Sequence, residues 1–321
     1  MIKEEETNMV TRKEFTFPAK GDGHPLYGCI WTADGFVKYK GIIQIAHGME
    51  EHILRYERFA AFLAKQGFVV CGNDHTGHGR SVEHWEDRGF FGEEEGSWQY
   101  IIEDMRYIME FVKKKFPELP YFLIGHSMGS FLAREFCVHW GEELAGTVFM
   151  GTSGGSPFLD IAILLSKEGA KLKGVKARGY SVSRLAFGAF NVKFSPKRTN
   201  YDWLSSDEDA VNQFLNDEKC GFVFTYAGYR ELFLLLKRVS SKEWAEKLPK
   251  NLPMLLISGK DDPVGDYGKG VEKVYHWLEE AGCENIEMKL YQGGRHELLQ
   301  ETFQKQVYRF LLRWIYQTLE K

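Results

Sequence analysis

The amino-acid sequence predicts an α/β fold. In it, a mostly parallel sheet of eight strands begins with an antiparallel hairpin, carries helices on both faces and is interrupted by a helical insertion. Two observations predict this fold. Short apolar stretches alternate with amphipathic runs of helical period over most of the chain, and the alternation stops in residues 156–248. With 321 residues, 44% of them hydrophobic, the chain is long enough to bury such a sheet.

Eight stretches of apolar or alternating residues are predicted as strands. The first two flank the turn Gly21-Asp22-Gly23, whose composition is typical of a hairpin, so the sheet should begin with an antiparallel pair. The later stretches are separated by helix patterns, and strands connected through helices run parallel. The predicted strands are residues 12–17, 26–32, 41–46, 68–72, 121–124, 146–150, 252–258 and 286–291.

The helices between these strands are predicted from apolar residues that recur every three or four positions. In the run 98–112, such residues form one face, as expected for a helix lying on a sheet. A similar face with Val307, Leu311 and Trp314 indicates a helix at the end of the chain. The other predicted helices that pack on the sheet are residues 56–66, 127–140 and 271–281.

The insertion contains helix-like patterns and no strand pattern. Its predicted helices are residues 157–173, 184–194, 207–216 and 225–239. Because the strand pattern resumes at residue 252, we predict two units: a core of residues 1–155 and 249–321, and a helical lid of residues 156–248. Such a lid is expected to exclude water from a site at the edge of the sheet and to select among substrates.

The charge balance argues against nucleic acid as a partner. Lysine and arginine number 41 against 45 aspartate and glutamate residues, and the net charge of −4 provides no basic surface for a phosphate backbone. No apolar segment reaches the roughly 20 residues needed to span a bilayer. Exposed residues of the lid could still bring the protein into transient contact with a membrane surface. The residue pattern does not specify an oligomeric state.

The five cysteines and the N-terminal residues indicate a cytoplasmic protein. The cysteines are scattered and form no C-x-x-C pair, which is typical of reduced thiols. Residues 1–10 contain three glutamates and lack the apolar region of a signal peptide, so secretion by that route is not expected.

The segment Gly125-His126-Ser127-Met128-Gly129 matches the pattern G-x-S-x-G. It lies between a predicted strand and a predicted helix, where this pattern forms a sharp turn that exposes the serine hydroxyl above the sheet. The start of a helix also carries a partial positive charge, which favours an anion that develops next to the serine. Ser127 is therefore the predicted nucleophile.

A serine hydroxyl reacts only when a base takes its proton, so the site needs a histidine and a carboxylate that orients it. For this kind of turn, the expected order along the chain is serine, acid, histidine. Asp262 follows the predicted strand 252–258, and His296 lies in a glycine-containing loop after the last strand. We predict Asp262 as the acid and His296 as the base, with Asp261 or Asp266 as alternatives for the acid.

Two backbone amides are predicted to stabilise the negative oxygen of a tetrahedral intermediate. Losing one such donor costs roughly 3 to 4 kcal/mol of transition-state stabilisation. Met128 follows the nucleophile, and Met49 follows the glycine turn at the end of strand 41–46. Their backbone N–H groups are the predicted oxyanion donors.

These segments together resemble the α/β-hydrolase fold serine hydrolases, in the branch of monoacylglycerol lipases, lysophospholipases and serine aminopeptidases. The resemblance covers nearly the whole chain. It is carried by His47-Gly48-Met49-Glu50-Glu51-His52 with Arg55-Tyr56, by Asp74-His75-Thr76-Gly77-His78-Gly79-Arg80-Ser81, by the serine turn, by Asp262-Pro263-Val264 and by Arg295-His296-Glu297. Residues 201–205 and 220–229 are similar to the lid of bacterial lysophospholipase-like members.

The resemblance implies a serine esterase that acts through an acyl-enzyme on lipid esters with one acyl chain, without a cofactor. It also implies that Glu51 and Arg55 lie near the polar head of the substrate, and His126 is a third candidate for substrate contact. Met49-Glu50 replaces the small residues usual in the monoacylglycerol lipases, which could narrow the site.

Two other functions are alternatives. A serine aminopeptidase would use the same triad and would need acidic lid residues that hold a free amino group; Glu231, Asp207, Glu208 and Asp209 are the candidates. An inactive binding protein of the same fold would normally have lost a member of the triad, and all three predicted members are present.

A zinc site is a further interpretation of the loop that follows residue 73, because imidazole and carboxylate groups suit zinc. Its candidate ligands are Asp74, His75, His78 and His84. The glycines of this segment and the resemblance favour a structural loop instead, so no metal is predicted.

Overall fold

The computed structural model describes residues 9–35 and 38–320, and its strands form one sheet in the order β1-β2-β4-β3-β5-β6-β7-β8. This confirms the predicted fold class. The first eight residues, for which no signal peptide was predicted, lie outside the described residues. The strands are β1 (Val10–Pro18), β2 (Pro25–Ala33), β3 (Gly41–Ala46), β4 (Phe68–Asn73), β5 (Tyr121–His126), β6 (Gly146–Met150), β7 (Met254–Gly259) and β8 (Ile286–Tyr291).

The strand directions follow from the connections. β2 runs antiparallel to both of its neighbours, β1 and β4. From β4 to β8 all pairings are parallel. Every residue of β3, β5 and β6 is buried, as expected for parallel strands covered on both faces.

Ten α-helices complete the described part of the chain. They are α1 (Glu57–Lys65), α2 (Trp98–Lys113), α3 (Met128–Trp140), α4 (Leu159–Lys173), α5 (Tyr180–Phe187), α6 (Glu208–Asn216), α7 (Tyr226–Val239), α8 (Lys242–Glu246), α9 (Lys269–Glu280) and α10 (Gln304–Leu319). No helix within residues 9–35 and 38–320 has the length and apolar character required to cross a bilayer.

Each face of the sheet has its own hydrophobic core. On one face, α1 and α10 bury residues such as Leu63 and Leu311. On the other face, α2, α3 and α9 contribute Met105, Leu132 and Val274. The two cores hold the sheet between them and so fix the positions of the loops at its edge.

The segment between β6 and β7 contains α4 to α8, and α7 packs against both α4 and α3. This is the segment predicted as a lid. The predicted helix 184–194 is wrong in its bounds, because α5 ends at Phe187 and single turns follow. Those turns are stabilised by Asn191, whose side chain donates to Thr199 O at 2.6 Å and accepts from Trp203 N at 2.9 Å. The short helix α8, which begins after Ser241, was not predicted.

The burial of α3 leads to a stability prediction. Leu132 is fully buried against the sheet, so Leu132→Ala should lower the free energy of unfolding by about 2 to 5 kcal/mol. Leu172→Ala is the matched control, because Leu172 is 78% exposed on α4 and its loss should cost less than about 0.5 kcal/mol. Urea denaturation measures both; equal losses would show that the packing of α3 does not determine stability.

Candidate active site

Ser127 occupies the sharp turn between β5 and α3. Its backbone has φ 53° and ψ −121°, in a region that residues with side chains rarely adopt. Its N–H donates to Met150 O at 2.9 Å, and its carbonyl accepts from Ser130 N at 2.8 Å and from Ser130 Oγ at 2.6 Å. The turn is therefore tied both to the end of β6 and to the first turn of α3.

The two glycines of the turn are required by close backbone approaches. A Cβ atom at Gly125 would lie 2.2 Å from Gly129 O, and a Cβ atom at Gly129 would lie 2.1 Å from Ala46 O. Neither backbone oxygen can move away, because both belong to elements that are fixed by their neighbours. A side chain at either position would therefore displace the turn that positions Ser127.

The predicted base and acid are in direct contact. His296 Nδ1 lies 2.9 Å from Asp262 Oδ2, and both side chains are buried. The Asp262 carboxylate also accepts from Ser258 Oγ at 3.0 Å and from Val264 N at 2.9 Å, so its orientation is fixed. Of the three aspartates considered, Asp262 is the one within hydrogen-bond distance of His296.

Aromatic rings and backbone bonds fix the position of His296. The centroid of its ring is 5.1 Å from that of Trp203 and 4.8 Å from that of His126. His296 N donates to Trp203 O at 3.3 Å, and Glu297 N donates to Leu204 O at 2.7 Å. The loop of the predicted base is therefore attached by its backbone to the inserted segment.

Ser127 and His296 line the same cavity, which has a volume of about 250 Å³. No hydrogen bond joins Ser127 Oγ to the imidazole within the described part of the chain; such bonds are often long in enzymes without substrate and shorten in the complex. The cavity is lined by both polar and apolar residues. Its apolar lining includes Met49, Phe187, Trp203, Leu204 and Phe214.

The backbone N–H groups of the two predicted oxyanion donors have no hydrogen-bond partner among the described residues. Met128 is the first residue of α3, and the N–H of a first helical residue has no partner within its helix. Met49 N donates to none of the described residues. The N–H of Gly48 is different, because it donates to Glu51 Oε1 at 2.6 Å. The role of Met49 and Met128 as oxyanion donors stays a prediction.

The predicted substrate residues Glu51, Arg55 and His126 are joined in one buried network with Glu297 and Tyr56. Arg55 donates to Glu51 Oε2 at 2.8 Å and forms a two-point pair with Glu297. Tyr56 OH lies 2.7 Å from Glu51 Oε1 and 2.8 Å from His126 Nδ1. Glu297 and Tyr56 were not predicted as functional residues, although both lie within the segments that carry the resemblance.

The charges of this network compensate one another. Burial alone would raise the pKa of Glu51, but its hydrogen bond with His126 and the charge of Arg55 hold that pKa well below its ordinary value. Burial alone would lower the pKa of His126, but Glu51 raises it above its ordinary value. Glu51 is therefore ionised beside the cavity, with its charge paired to Arg55.

Glu50 is the unusual residue of the cavity. It is a buried carboxylic acid with φ 58°, and its Oε2 lies 3.4 Å from Tyr201 OH. Burial raises the pKa of Glu50 to about 8. At neutral pH the group is therefore uncharged, in contrast to the neighbouring Glu51.

The acidic lid residues proposed for an aminopeptidase lie outside this cavity. Asp207 caps α6 by accepting from Asp209 N and Ala210 N. Glu231 accepts from Arg230 Nε and from Gly96 N. Both therefore stabilise the fold of the insertion. Glu208 and Asp209 lie exposed in the first turn of α6.

The loop considered for zinc has structural contacts. Asp74 accepts from the backbone N–H groups of Ile53 and Arg80 at 2.8 and 2.7 Å. Burial lowers the pKa of His75 and of His78 to about 3, so both rings are neutral. The described residues place ligand-type atoms close together at His52, Asp217 and Cys220, where His52 Nε2 already pairs with Asp217 Oδ2 at 2.8 Å.

Comparison with known proteins gives a consistent assignment. Residues 37–303 match the family model described as serine aminopeptidase, S33. Human monoglyceride lipase is 29% identical over 289 residues, which cover 87% of this chain and 82% of that protein. A monoacylglycerol lipase of Mycolicibacterium smegmatis is 28% identical over 316 residues, 95% of this chain and 97% of its own.

Solved structures of related proteins have the same fold. A thermostable carboxyl esterase from Bacillus coagulans, solved in complex with glycerol, matches with a TM-score of 0.89 and 29% identity. The match covers 96% of this chain and 99% of that one. The likeness extends through the inserted segment as well as the sheet.

The charge state of Glu50 can be tested through protein stability. In the folded protein its pKa is about 8, against an ordinary value of 4.5 in the unfolded chain. The stability that the uncharged group contributes is fully present below pH 4.5 and is lost as the pH rises through 8. We therefore expect the difference in melting temperature, Glu50→Gln minus wild type, to become more positive by several degrees between pH 5 and pH 9.

Glu208→Gln is the control for this measurement. Glu208 has an exposed side chain on α6, so its effect on the melting temperature should be the same at both pH values. If the difference in melting temperature between Glu50→Gln and wild type were the same at pH 5 and pH 9, the assignment of an uncharged Glu50 would be wrong.

Proposed function

From the premise that this chain belongs to the serine aminopeptidase (S33) family of hydrolases, we propose that it is a serine esterase acting on lipid esters with one acyl chain. Monoacylglycerols and lysophospholipids are such esters. The names of the relatives, monoglyceride lipase among them, support an ester hydrolase of this kind.

The proposed reaction proceeds through an acyl-enzyme. His296 Nε2 takes the proton of Ser127 as its oxygen attacks the ester carbonyl, and Asp262 stabilises the imidazolium that forms. The backbone N–H groups of Met49 and Met128 hold the oxyanion. The alcohol leaves with the proton from His296, and water then repeats the sequence on the acyl group. None of these steps uses a cofactor.

One observation carries this proposal. His296, which is paired with Asp262 at 2.9 Å, lines the same cavity as a serine whose backbone is held in a left-handed conformation at the start of a helix. The buried pair gives His296 a fixed tautomer with Nε2 free, which is the requirement for a base. A purely structural histidine would not need this arrangement beside an open cavity.

We propose that residues 156–248 form the lid of this site. Helix α4 and the residue that precedes it expose several apolar side chains: Phe158, Ile161, Leu164, Leu165 and Leu172. Exposed apolar groups of this kind are typical of surfaces that contact lipid or protein. Helix α4 packs against α5, whose Ser183 and Phe187 line the cavity, so a transient contact of α4 with a lipid surface would place the cavity near that surface.

A serine aminopeptidase is the second candidate, because the family model carries that description. None of the four acidic lid residues lines the cavity: Asp207 caps α6, Glu231 pairs with Arg230, and Glu208 and Asp209 lie exposed on α6. The cavity residues Glu51 and Glu297 are already paired with Arg55. These contacts favour the esterase.

A substrate panel tests the proposal. We expect high initial rates on monoacylglycerols and a lysophospholipid, and low rates on a diacylglycerol and an aminoacyl amide. Ser127→Ala should reduce turnover by roughly 10⁵- to 10⁶-fold, and Asp262→Asn by about 10³- to 10⁴-fold, because the imidazole loses its orienting charge. Asp261→Asn is the matched control and should stay within about twofold of wild type.

Preference for the aminoacyl amide would reject the esterase in favour of the second candidate. Activity that survives Ser127→Ala would reject the proposed nucleophile. If Asp261→Asn were inactive while Asp262→Asn stayed active, the assignment of the acid would be wrong.

The lid contact is tested with the double variant Ile161→Ser/Leu164→Ser. Each removed side chain would contribute roughly 1.5 to 3 kcal/mol if buried in lipid, so binding to phospholipid vesicles should weaken by at least about tenfold. Hydrolysis of a water-soluble short-chain ester should be retained. The control is Tyr100→Ser, an exposed aromatic residue of α2. Equal vesicle binding by wild type and the double variant would reject the contact.

A further inference from the structure

One carboxyl group in the Ser127 cavity has no role in the proposed reaction. Glu50 follows the predicted oxyanion residue Met49 directly and lines the same cavity. Its left-handed backbone conformation disfavours any residue other than glycine. Gly221 N donates to Glu50 O at 3.0 Å, so the inserted segment fixes this conformation. A side chain is thus held at a strained position in the substrate cavity.

The Glu50 carboxyl is only partly satisfied by the protein. Its Oε2 lies 3.4 Å from Tyr201 OH, and that hydroxyl also lies 3.3 Å from Gly221 O. Its Oε1 has no hydrogen-bond partner in the described part of the chain and keeps some exposed surface. One oxygen of the group is therefore available to a molecule in the cavity.

No cation neutralises Glu50 within the described residues. The two other carboxylates of the cavity, Glu51 and Glu297, pair with Arg55. The cations Arg184 and Lys197 line the cavity from exposed positions and form no ion pair with Glu50. Among the described residues, the other titratable groups on this side include His126, His296, Tyr201, Cys220 and Tyr229.

Burial without a cation leaves Glu50 as a carboxylic acid, because its pKa is raised to about 8. A carboxylic acid offers one O–H donor and a carbonyl acceptor. A hydroxyl group of a ligand is also a donor and an acceptor, so the two groups match. A quaternary ammonium group would instead require the ionised form of Glu50.

The matching hydroxyl belongs to the alcohol part of the substrate. A fatty acyl chain has only methylene groups beyond its carbonyl, and packing them against Glu50 would leave a buried polar group without a partner. The polar groups of a single-chain lipid ester lie on the alcohol side. A substrate contact of Glu50 must therefore involve that side.

We propose that Glu50 is a specificity-determining residue that binds a hydroxyl group on the alcohol part of the ester. Glycerol esters are then preferred over esters of simple alcohols with the same acyl chain. This inference rests on the proposed esterase function, and it names the alcohol as the part of the substrate that the enzyme selects.

The test compares a monoacylglycerol with the methyl ester of the same short fatty acid, both below their critical micelle concentrations. The measured quantity is the ratio of the two kcat/KM values. Glu50→Ala should lower this ratio about five- to tenfold, as expected for one lost hydrogen bond. Glu50→Gln retains an uncharged donor and acceptor, so its ratio should stay within about twofold of wild type.

The matched control is Glu208→Gln, which removes a carboxylate from the inserted segment outside the cavity and should leave the ratio unchanged. Thermal unfolding of each variant shows that the protein is folded. An unchanged ratio in Glu50→Ala, or an equal loss in Glu50→Gln, would overturn the proposal. If wild type hydrolysed neither ester, the esterase function itself would fail; if it hydrolysed both with a ratio insensitive to Glu50, only this inference would fail.

Discussion

The left-handed backbone of Ser127 is the constraint on which the site depends. The turn exists because β5 ends directly against the start of α3, with Gly125 and Gly129 leaving space for the backbone of neighbouring elements. Bonds from the turn reach β6 through Met150, and Gly129 contacts the end of β3. Three adjacent strands therefore determine where the serine hydroxyl lies. The cost of the strained residue is offset by burial of the sheet and its two hydrophobic cores.

Buried charge is the second organising feature. Arg55, just before α1, pairs with both Glu51 and Glu297, and Glu297 lies in the loop that follows β8. Glu51 also accepts a hydrogen bond from Gly48 N and contacts His126. Removing one partner from such a network leaves an uncompensated charge in a dry environment, which is costly. The network thus connects the loop of the predicted oxyanion donor with the loop of the predicted base. It therefore holds both loops in position relative to Ser127.

Much of this arrangement could be predicted from the sequence, because the strands of a parallel sheet are buried on both faces and appear as apolar runs. The bounds of β3 and β6 agree with the prediction for this reason. Those of β8 agree as well, although β8 is an edge strand whose residues alternate between half-buried and exposed. Asp262 and His296 were located from their positions after strands. The charge state of Glu50 was not predictable, since it depends on burial by residues distant in the chain. Nor was the end of α5, where side-chain bonds of Asn191 compete with continued helix.

The backbone hydrogen bonds from His296 and Glu297 to Trp203 and Leu204 determine what would happen if the inserted segment were replaced by that of a relative. An inserted segment that supports the histidine loop is not an independent flap, because its removal would leave two backbone N–H groups and an imidazole face without partners. In a chimaera that received this segment from a relative, the histidine would acquire a new support together with a new substrate pocket. Turnover and selectivity would then change as one property, and natural variation within the family would be expected to couple the two segments.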